Sequence, residues 1–343
     1  MKRWQFWVGI LISVVFLYFA LKGLDLPKVW EVVQSANYLW LLPGIGVYMI
    51  GVWVRAWRWH YLLRPLKPIP TRTMFPIVTI GYMGNNIFPY RAGEVLRAAV
   101  LRQREAVPIS ASFATIIVER IFDGVVMLAF IFLNLPRLGQ LTQSAGFMAS
   151  LNIYQISIIG AVIFLGALTV FLLAAMFPAV TERIVNRIID LLPARIHERT
   201  RELTLRFLSG LESLASPREA LMVFFTTVII WLLETAKYWF IMHAFPFEVG
   251  FYALMLMNGI VNITTTIPSA PGYIGTFDAP GIAVLIAFGV QAEIAAGYTL
   301  LLHAALWFPI TLLGAYYYLR QPLRWGQKVA ELRSEPSPEV SHD

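Results

Sequence analysis

An all-helical, polytopic membrane protein is the fold class this sequence predicts, and three observations predict it. Of its 343 residues, 58% are hydrophobic and only 14% are charged, with a mean hydropathy of +0.66, far too apolar for a soluble domain of this length. Stretches such as residues 4–21 and 153–177 run almost without charge through the roughly 20 residues a helix needs to cross a ~30 Å hydrocarbon core. Basic residues collect in the connections between such stretches, as membrane topology distributes them. The sequence pI near 9.6 therefore reports orientation rather than nucleic-acid binding, because the cations are not interleaved with aromatics on one surface.

Full spans are expected near residues 4–21, 38–61, 109–134, 153–177, 219–243 and 295–319. The first follows Lys2 and Arg3 and is read as a retained anchor. Its apolar run is too long for a secretory signal, and no small-x-small site follows at Leu21-Lys22-Gly23. Cytoplasmic sides are marked by Lys2 and Arg3, by Arg55, Arg58, Arg64, Lys67 and Arg72, by the basic stretch 183–218, and by Arg320, Arg324, Lys328 and Arg333. The opposite side keeps Lys22, Lys28 and Arg137. This predicts a bacterial-type cytoplasmic (inner) membrane protein with both termini cytoplasmic.

Parity then demands something unusual. The second span ends inside and the span from Ile109 must begin inside, so residues 74–104 enter and leave on one face. An apolar piece of 75–88, the break Pro89-Tyr90-Arg91-Ala92-Gly93 and a second piece from Glu94 read as a re-entrant hairpin of two half-helices. A second broken segment spans 249–290, where Thr266-Ile267-Pro268-Ser269-Ala270-Pro271-Gly272 interrupts two apolar pieces. Two spans or one hairpin both satisfy the charges there; a hairpin from the outside would mirror the first and make the halves, about 1–134 and 153–320, an inverted repeat. Each half also carries a candidate interfacial element, 26–36 and 181–214. In the latter Ile184, Val185, Ile188, Ile189 and Leu192 oppose Glu182, Arg183, Asn186, Arg187 and Asp190, which fits either a surface-lying helix or an ordinary cytoplasmic loop. One domain over 1–333 and a disordered polar tail, 334–343, complete the expected organisation.

Paired breaks point to a binding site, because backbone groups freed at a break must line an enclosed or wet cavity and half-helix N-termini favour anions. Ionisable residues inside the apolar runs add to this. Glu119, Arg120 and Asp123 lie well into the span from Ile109, Glu234 and Lys237 form a similar pair, and Asp278 follows the second break. Facing lipid, these six would cost on the order of 15–20 kcal/mol to insert, so they are expected to face inward. Glu119, Arg120 and Asp123 comprise two acids and one base, so a third partner is implied: Arg91 or Arg97, a proton, or a cationic substrate group. Arg91, Glu94 and Arg97, three apart on one helical face, read either as headgroup contacts or as a cytoplasmic fringe. Glu234 and Lys237 either bind or lock helices together. His60, His243 and His303 are expected to be packing or interfacial residues, and Asn258 and Asn262 to bond between helices.

Chemistry is narrowed by what is missing. With no cysteine and five scattered histidines in no metal-ligand spacing, no metal, cofactor or catalytic residue is expected, and the chain is expected not to be an enzyme.

Taken together, Arg55-Ala56-Trp57-Arg58-Trp59 with Leu62-Leu63, the run from Gly84 through Pro89 to Glu94 with Arg97, Val118-Glu119-Arg120-Ile121-Phe122-Asp123, and Ile267-Pro268-Ser269-Ala270-Pro271-Gly272 with Gly275 and Asp278 form a specific pattern. It resembles the lysylphosphatidylglycerol synthase transmembrane-region family over about residues 25–318. Asp278 stands where relatives often have Glu. The resemblance implies a flippase-like module, here standing alone without the family's aminoacyl-transferase domain, with Asn86, Pro89, Arg91, Gly93, Glu94, Arg97, Glu119, Arg120 and Asp123 as motif positions.

The expectation is lipid translocation by alternating access. An anionic phospholipid or isoprenoid-linked headgroup would enter beside Arg91, Arg97 and Arg120. Glu94, Glu119, Asp123 and Asp278 would pair with the arginines when the site is empty. Glu234, Lys237, Pro268, Pro271 and Gly272 complete the candidate site, a lipid-modifying synthase is a candidate partner, and nucleic acid is not. The rival readings are an integral-membrane enzyme or an accessory subunit acting on a lipid-linked substrate.

Overall fold

The computed structural model describes residues 3–89, 91–141, 153–190, 216–267 and 269–320, with a few single positions between 200 and 208. Pro268, the tail 334–343 and most of 191–214 lie outside the described residues.

The described chain is helical, and no strand occurs in it. Helix α1 (Arg3–Leu21) is apolar on all sides. A turn through Gly23 leads to α2 (Leu26–Gln34), started by Pro27 and by the Asp25 carboxylate, which accepts from the Lys28 backbone N–H. The side-chain hydrogen bond from Lys28 holds the Asp25 carboxyl below its usual range, so this cap persists above that range and is lost as acid protonates it. Helix α2 buries Val29 and exposes Leu26 and Trp30, as an interfacial helix does. A 3₁₀ turn (Tyr38–Trp40) opens α3 (Leu41–Leu63). Helices α4 (Thr71–Ile87) and α5 (Ala92–Glu105) follow, then α6 (Ile109–Leu141), α7 (Ile153–Met176), α8 (Pro178–Ile189), α9 (Pro217–Met242), α10 (Phe251–Thr264), α11 (Asp278–Ala287) and α12 (Ala292–Arg320).

Among the described residues, three helical segments are long and apolar enough to cross a membrane: Tyr38–Leu63, Pro217–Met242 and Ala292–Arg320. Five qualify if α1 with α2, bent by 87°, and α7 with α8, bent by 102°, each count as one span. The expectation of six full spans is thus met only in part. Helix α6, 33 residues long, carries Glu119, Arg120 and Asp123 within it.

Both expected breaks are present. Helix α4 gives way to extended backbone at Phe88, and α5 starts from Arg91 in the left-handed region at φ 53°. Between α10 and α11 the chain makes a short 3₁₀ turn (Pro271–Tyr273), with Gly272 at φ 74° and Gly275 at φ 84°. With 14, 14 and 10 residues, α5, α10 and α11 reach at most ~21 Å at 1.5 Å per residue, short of a hydrocarbon core.

Helix α3 packs along α9, α4 bridges α3 and α12, and α6 bridges α5, α9 and α10. Helix α1 covers the second break: the Ser13 hydroxyl accepts from the Ala270 backbone N–H at 2.8 Å, and Gly9 and Gly275 leave no room for a Cβ between them and the facing backbone. One apolar core gathers α9 to α12 and a second gathers α3 to α5, and Leu306 borders both. The polar site sits at that seam.

Candidate functional site

A cavity of about 150 Å³ opens between the two breaks and the helices around them. The first break supplies Arg91, Glu94 and Arg97, which share one face as the three-residue spacing predicts and line the cavity. They reach the cavity because α5 lies directly on α4 through glycines: a Cβ on Gly93 would stand 1.9 Å from the Gly81 carbonyl oxygen. The second break adds Gly272, Tyr273 and Phe277, and α12 adds His303 and Trp307. The two breaks meet here, with the Arg91 guanidinium 5.6 Å from the centre of the Tyr273 ring.

Behind the α5 face lies a buried ion network. Glu119 and Asp123 are 1% and 3% exposed. Arg97 donates to Glu119 at 2.7 Å, and Arg58 donates to Asp123 at 2.6 Å and to the Thr227 hydroxyl at 2.9 Å. The Trp231 indole N–H also donates to Asp123, at 3.0 Å. Arg120, whose side chain is 37% exposed at the cavity it lines, lies 3.5 Å from Asp123 and 3.8 Å from Glu94. Such buried charge is tolerated only when paired and hydrogen-bonded. A second cluster stands on α9, where Glu234 accepts from Arg55 at 2.7 Å and pairs with Lys237, whose ammonium sits over the Tyr48 ring at 4.2 Å.

Most expected site residues converge here. Asn86, Arg91, Gly93, Glu94, Arg97, Arg120, Glu234, Lys237 and Gly272 line the cavity, while Glu119, Asp123 and Asp278 brace it from behind. Pro89 and Pro271 shape the breaks without lining the cavity. Asn258 bonds across to Thr235 of α9, as expected, and holds Asn262 at the cavity wall.

Four expectations need correction. The missing partner of the α6 cluster is not a hairpin arginine alone, because Arg58 of α3 serves with Arg97. Arg55 and Arg58, read as cytoplasmic markers, are buried, Arg58 at 1% exposure; the helix turns both into the protein, where carboxylates meet them. His303 lines the cavity rather than only packing between helices, and Asp278 pairs with it instead of with an arginine. The His303 Nε2 lies 2.7 Å from the Gly272 carbonyl, which can only accept, and Nδ1 lies 2.8 Å from the Asp278 carboxyl. A hydrogen is needed on both contacts, so the pair shares one proton and is neutral overall.

Comparison with known proteins now places the chain. The family model described as "Lysylphosphatidylglycerol synthase TM region" matches residues 6–314. A UPF0104 membrane protein of Methanothermobacter thermautotrophicus is 22% identical over 334 residues, covering 92% of this chain and 93% of the relative. Another UPF0104 membrane protein, of Methanocaldococcus jannaschii, is 24% identical over 324 residues, covering 89% and 91%. The glycosyltransferase AglD of Haloferax volcanii is 23% identical over 299 residues, covering 79% of this chain but 47% of AglD. No solved structure matches the chain. AglD overturns the expectation that the chain is not an enzyme, since a relative matched over most of this chain is itself named as one. With its match running through both breaks and the charged cluster of α6, the chain belongs to the lysylphosphatidylglycerol synthase transmembrane-region family of membrane proteins.

Proposed function

We propose that the chain is a membrane module acting on a lipid-linked substrate, as an integral-membrane enzyme or as the subunit that holds the substrate for one. The anionic headgroup, of a phospholipid or an isoprenoid-linked lipid, enters the cavity while its hydrocarbon stays in the bilayer. One observation carries this reading: Arg91, Arg97 and Arg120 converge on the cavity, and the Nε of each is buried without a hydrogen-bond partner. Three spare N–H donors, two from the start of α5 and one from the middle of α6, suit phosphoryl oxygens. Asn85 and Asn86 add amides, and Tyr82, Trp231 and Trp307 add ring faces for an attached group. That AglD is named a glycosyltransferase supports the enzymatic form of this reading.

The chain purified in mild detergent should carry an anionic lipid, measured by mass spectrometry of the extracted lipids. Arg91→Ala, which breaks no ion pair among the described residues, should reduce the bound lipid by about tenfold, the loss of one charge-assisted contact of ~1.4 kcal/mol. Unchanged lipid content in the variant would count against the site.

Translocation is a second reading, favoured by the repetition of elements. Among the described elements, a long helix, a short amphipathic helix, a long helix, a two-helix hairpin and a long helix occur as α1 to α6 and again as α7 to α12. In this reading the halves form an inverted repeat with six full spans, two re-entrant hairpins and cytoplasmic termini, and rocking of one half on the other exposes the cavity alternately. Liposomes bearing labelled phospholipid and an impermeant quencher separate the readings, with Arg120→Ala as the comparison. Equal leaflet exchange in wild-type, variant and empty liposomes removes translocation, and a chemically altered lipid in the extract identifies catalysis.

A further inference from the structure

The charges around the cavity do not cancel. Arg97 is answered by Glu119, Arg58 by Asp123 and Arg55 by Glu234. Arg120 lies between Glu94 and Asp123, and the Asp278–His303 pair is neutral. Two cations remain in excess. Lys237 shares with Arg55 the single carboxylate of Glu234, and Arg91 faces the Tyr273 ring with no ion pair among the described residues. Among the described residues, six cations therefore stand against four carboxylates around one hollow, and the two in excess belong to different walls, Arg91 to the start of α5 and Lys237 to α9.

An unbalanced pair of charges in a low-dielectric site is costly unless a ligand supplies the counter-charge. A phosphodiester such as phosphatidylglycerol brings one negative charge, and a phosphate monoester brings two on a single phosphorus. Excess cations on two different walls are matched best by two phosphoryl groups joined together. From this we infer that the headgroup bound by the cavity is a diphosphate, with one phosphoryl at Arg91 and the other at Lys237, carried on a lipid chain. The inference rests on the lipid-linked reading above and names its substrate class.

The test uses the full chain in nanodiscs of phosphatidylcholine. Farnesyl diphosphate, farnesyl phosphate and dioleoyl phosphatidylglycerol are the probes, with affinities read by native mass spectrometry. Farnesyl diphosphate should bind at least about tenfold more tightly than either of the others, the equivalent of one extra charge-assisted contact. Lys237→Met keeps the volume and leaves the Arg55–Glu234 pair intact. It should lower the diphosphate affinity about tenfold while phosphatidylglycerol binding stays within twofold of wild type. Arg91→Gln, at a helix cap outside the buried network, is the second variant and should lower the diphosphate affinity by a similar factor. Farnesyl phosphate or phosphatidylglycerol binding as tightly as the diphosphate overturns the inference. So does a Lys237→Met variant that weakens all three probes alike, and in both cases the lipid-binding reading survives. If none of the three probes binds, that reading fails first and the inference falls with it.

Discussion

Replacing Asp123 by alanine should lower the stability of the detergent-solubilised protein by about 3–5 kcal/mol, the range for stripping a buried ion of its partner. The size follows from how much this carboxylate holds. It accepts from Arg58 at 2.6 Å and from the Trp231 indole at 3.0 Å, and lies 3.5 Å from Arg120. Its loss leaves the Arg58 guanidinium, 1% exposed, with the Thr227 hydroxyl at 2.9 Å and a carboxylate oxygen of Glu119 at 3.9 Å. Neither contact replaces the lost ion pair. Asp123→Asn keeps an acceptor for the indole and should fall between wild type and Asp123→Ala. The double variant Arg58→Met/Asp123→Leu removes both charges together and should be more stable than Asp123→Leu alone, giving, with Arg58→Met as the other single, a favourable coupling energy in a double-mutant cycle. Thermal unfolding followed by intrinsic fluorescence measures all of these. If Asp123→Ala melts with wild type, the network around α6 is not what holds α3, α6 and α9 together.

The same residues mark the boundary of what could be read from the chain itself. Long apolar runs and Pro/Gly breaks are visible in sequence because the bilayer imposes a length on helices and forbids free backbone groups in lipid. The helices near residues 38–63 and 217–242 and the breaks after Ile87 and Thr264 follow from that. Burial of Glu119, Asp123, Glu234, Lys237 and Asp278 was legible for a related reason, since charge at depth must face inward.

Pairing was not legible. Arg55 and Arg58 sit near a helix end, where a topological marker and a buried counter-ion have the same residue type and the same place. Only their partners, 179 and 65 residues away along the chain for Glu234 and Asp123, distinguish the two. A signal did exist: the two-acid, one-base cluster of α6 lacked a cation, and Arg55 and Arg58, three apart in a helical run, were available. For His303 a lone histidine in an apolar helix gave no warning, because its partners Asp278 and Gly272 come from the second break. Enzymatic activity among relatives was legible in neither the motifs nor the geometry, and entered through AglD.

Gly93→Ala should destabilise the protein and abolish headgroup binding, although alanine is normally the better helix residue by about 1 kcal/mol. The added methyl would stand 1.9 Å from the Gly81 carbonyl oxygen and 2.4 Å from the Asn85 backbone nitrogen. Both are backbone atoms of α4, so no side-chain rotation relieves the clash and the hairpin must open. Overpacking of this kind costs about 1–3 kcal/mol, more when backbone must move. The displacement falls on the first turn of α5, which carries Arg91, Glu94 and Arg97 to the cavity, so affinity for an anionic lipid should fall by more than about tenfold. Gly46 and Gly166 provide the comparison, since a Cβ there meets nothing within 4 Å. Gly46→Ala and Gly166→Ala should leave thermal stability and lipid binding within error of wild type or slightly above it. Were Gly93→Ala to behave like them, α4 and α5 would not be in contact at this glycine, and the geometry that aims three arginines into one hollow would have no support.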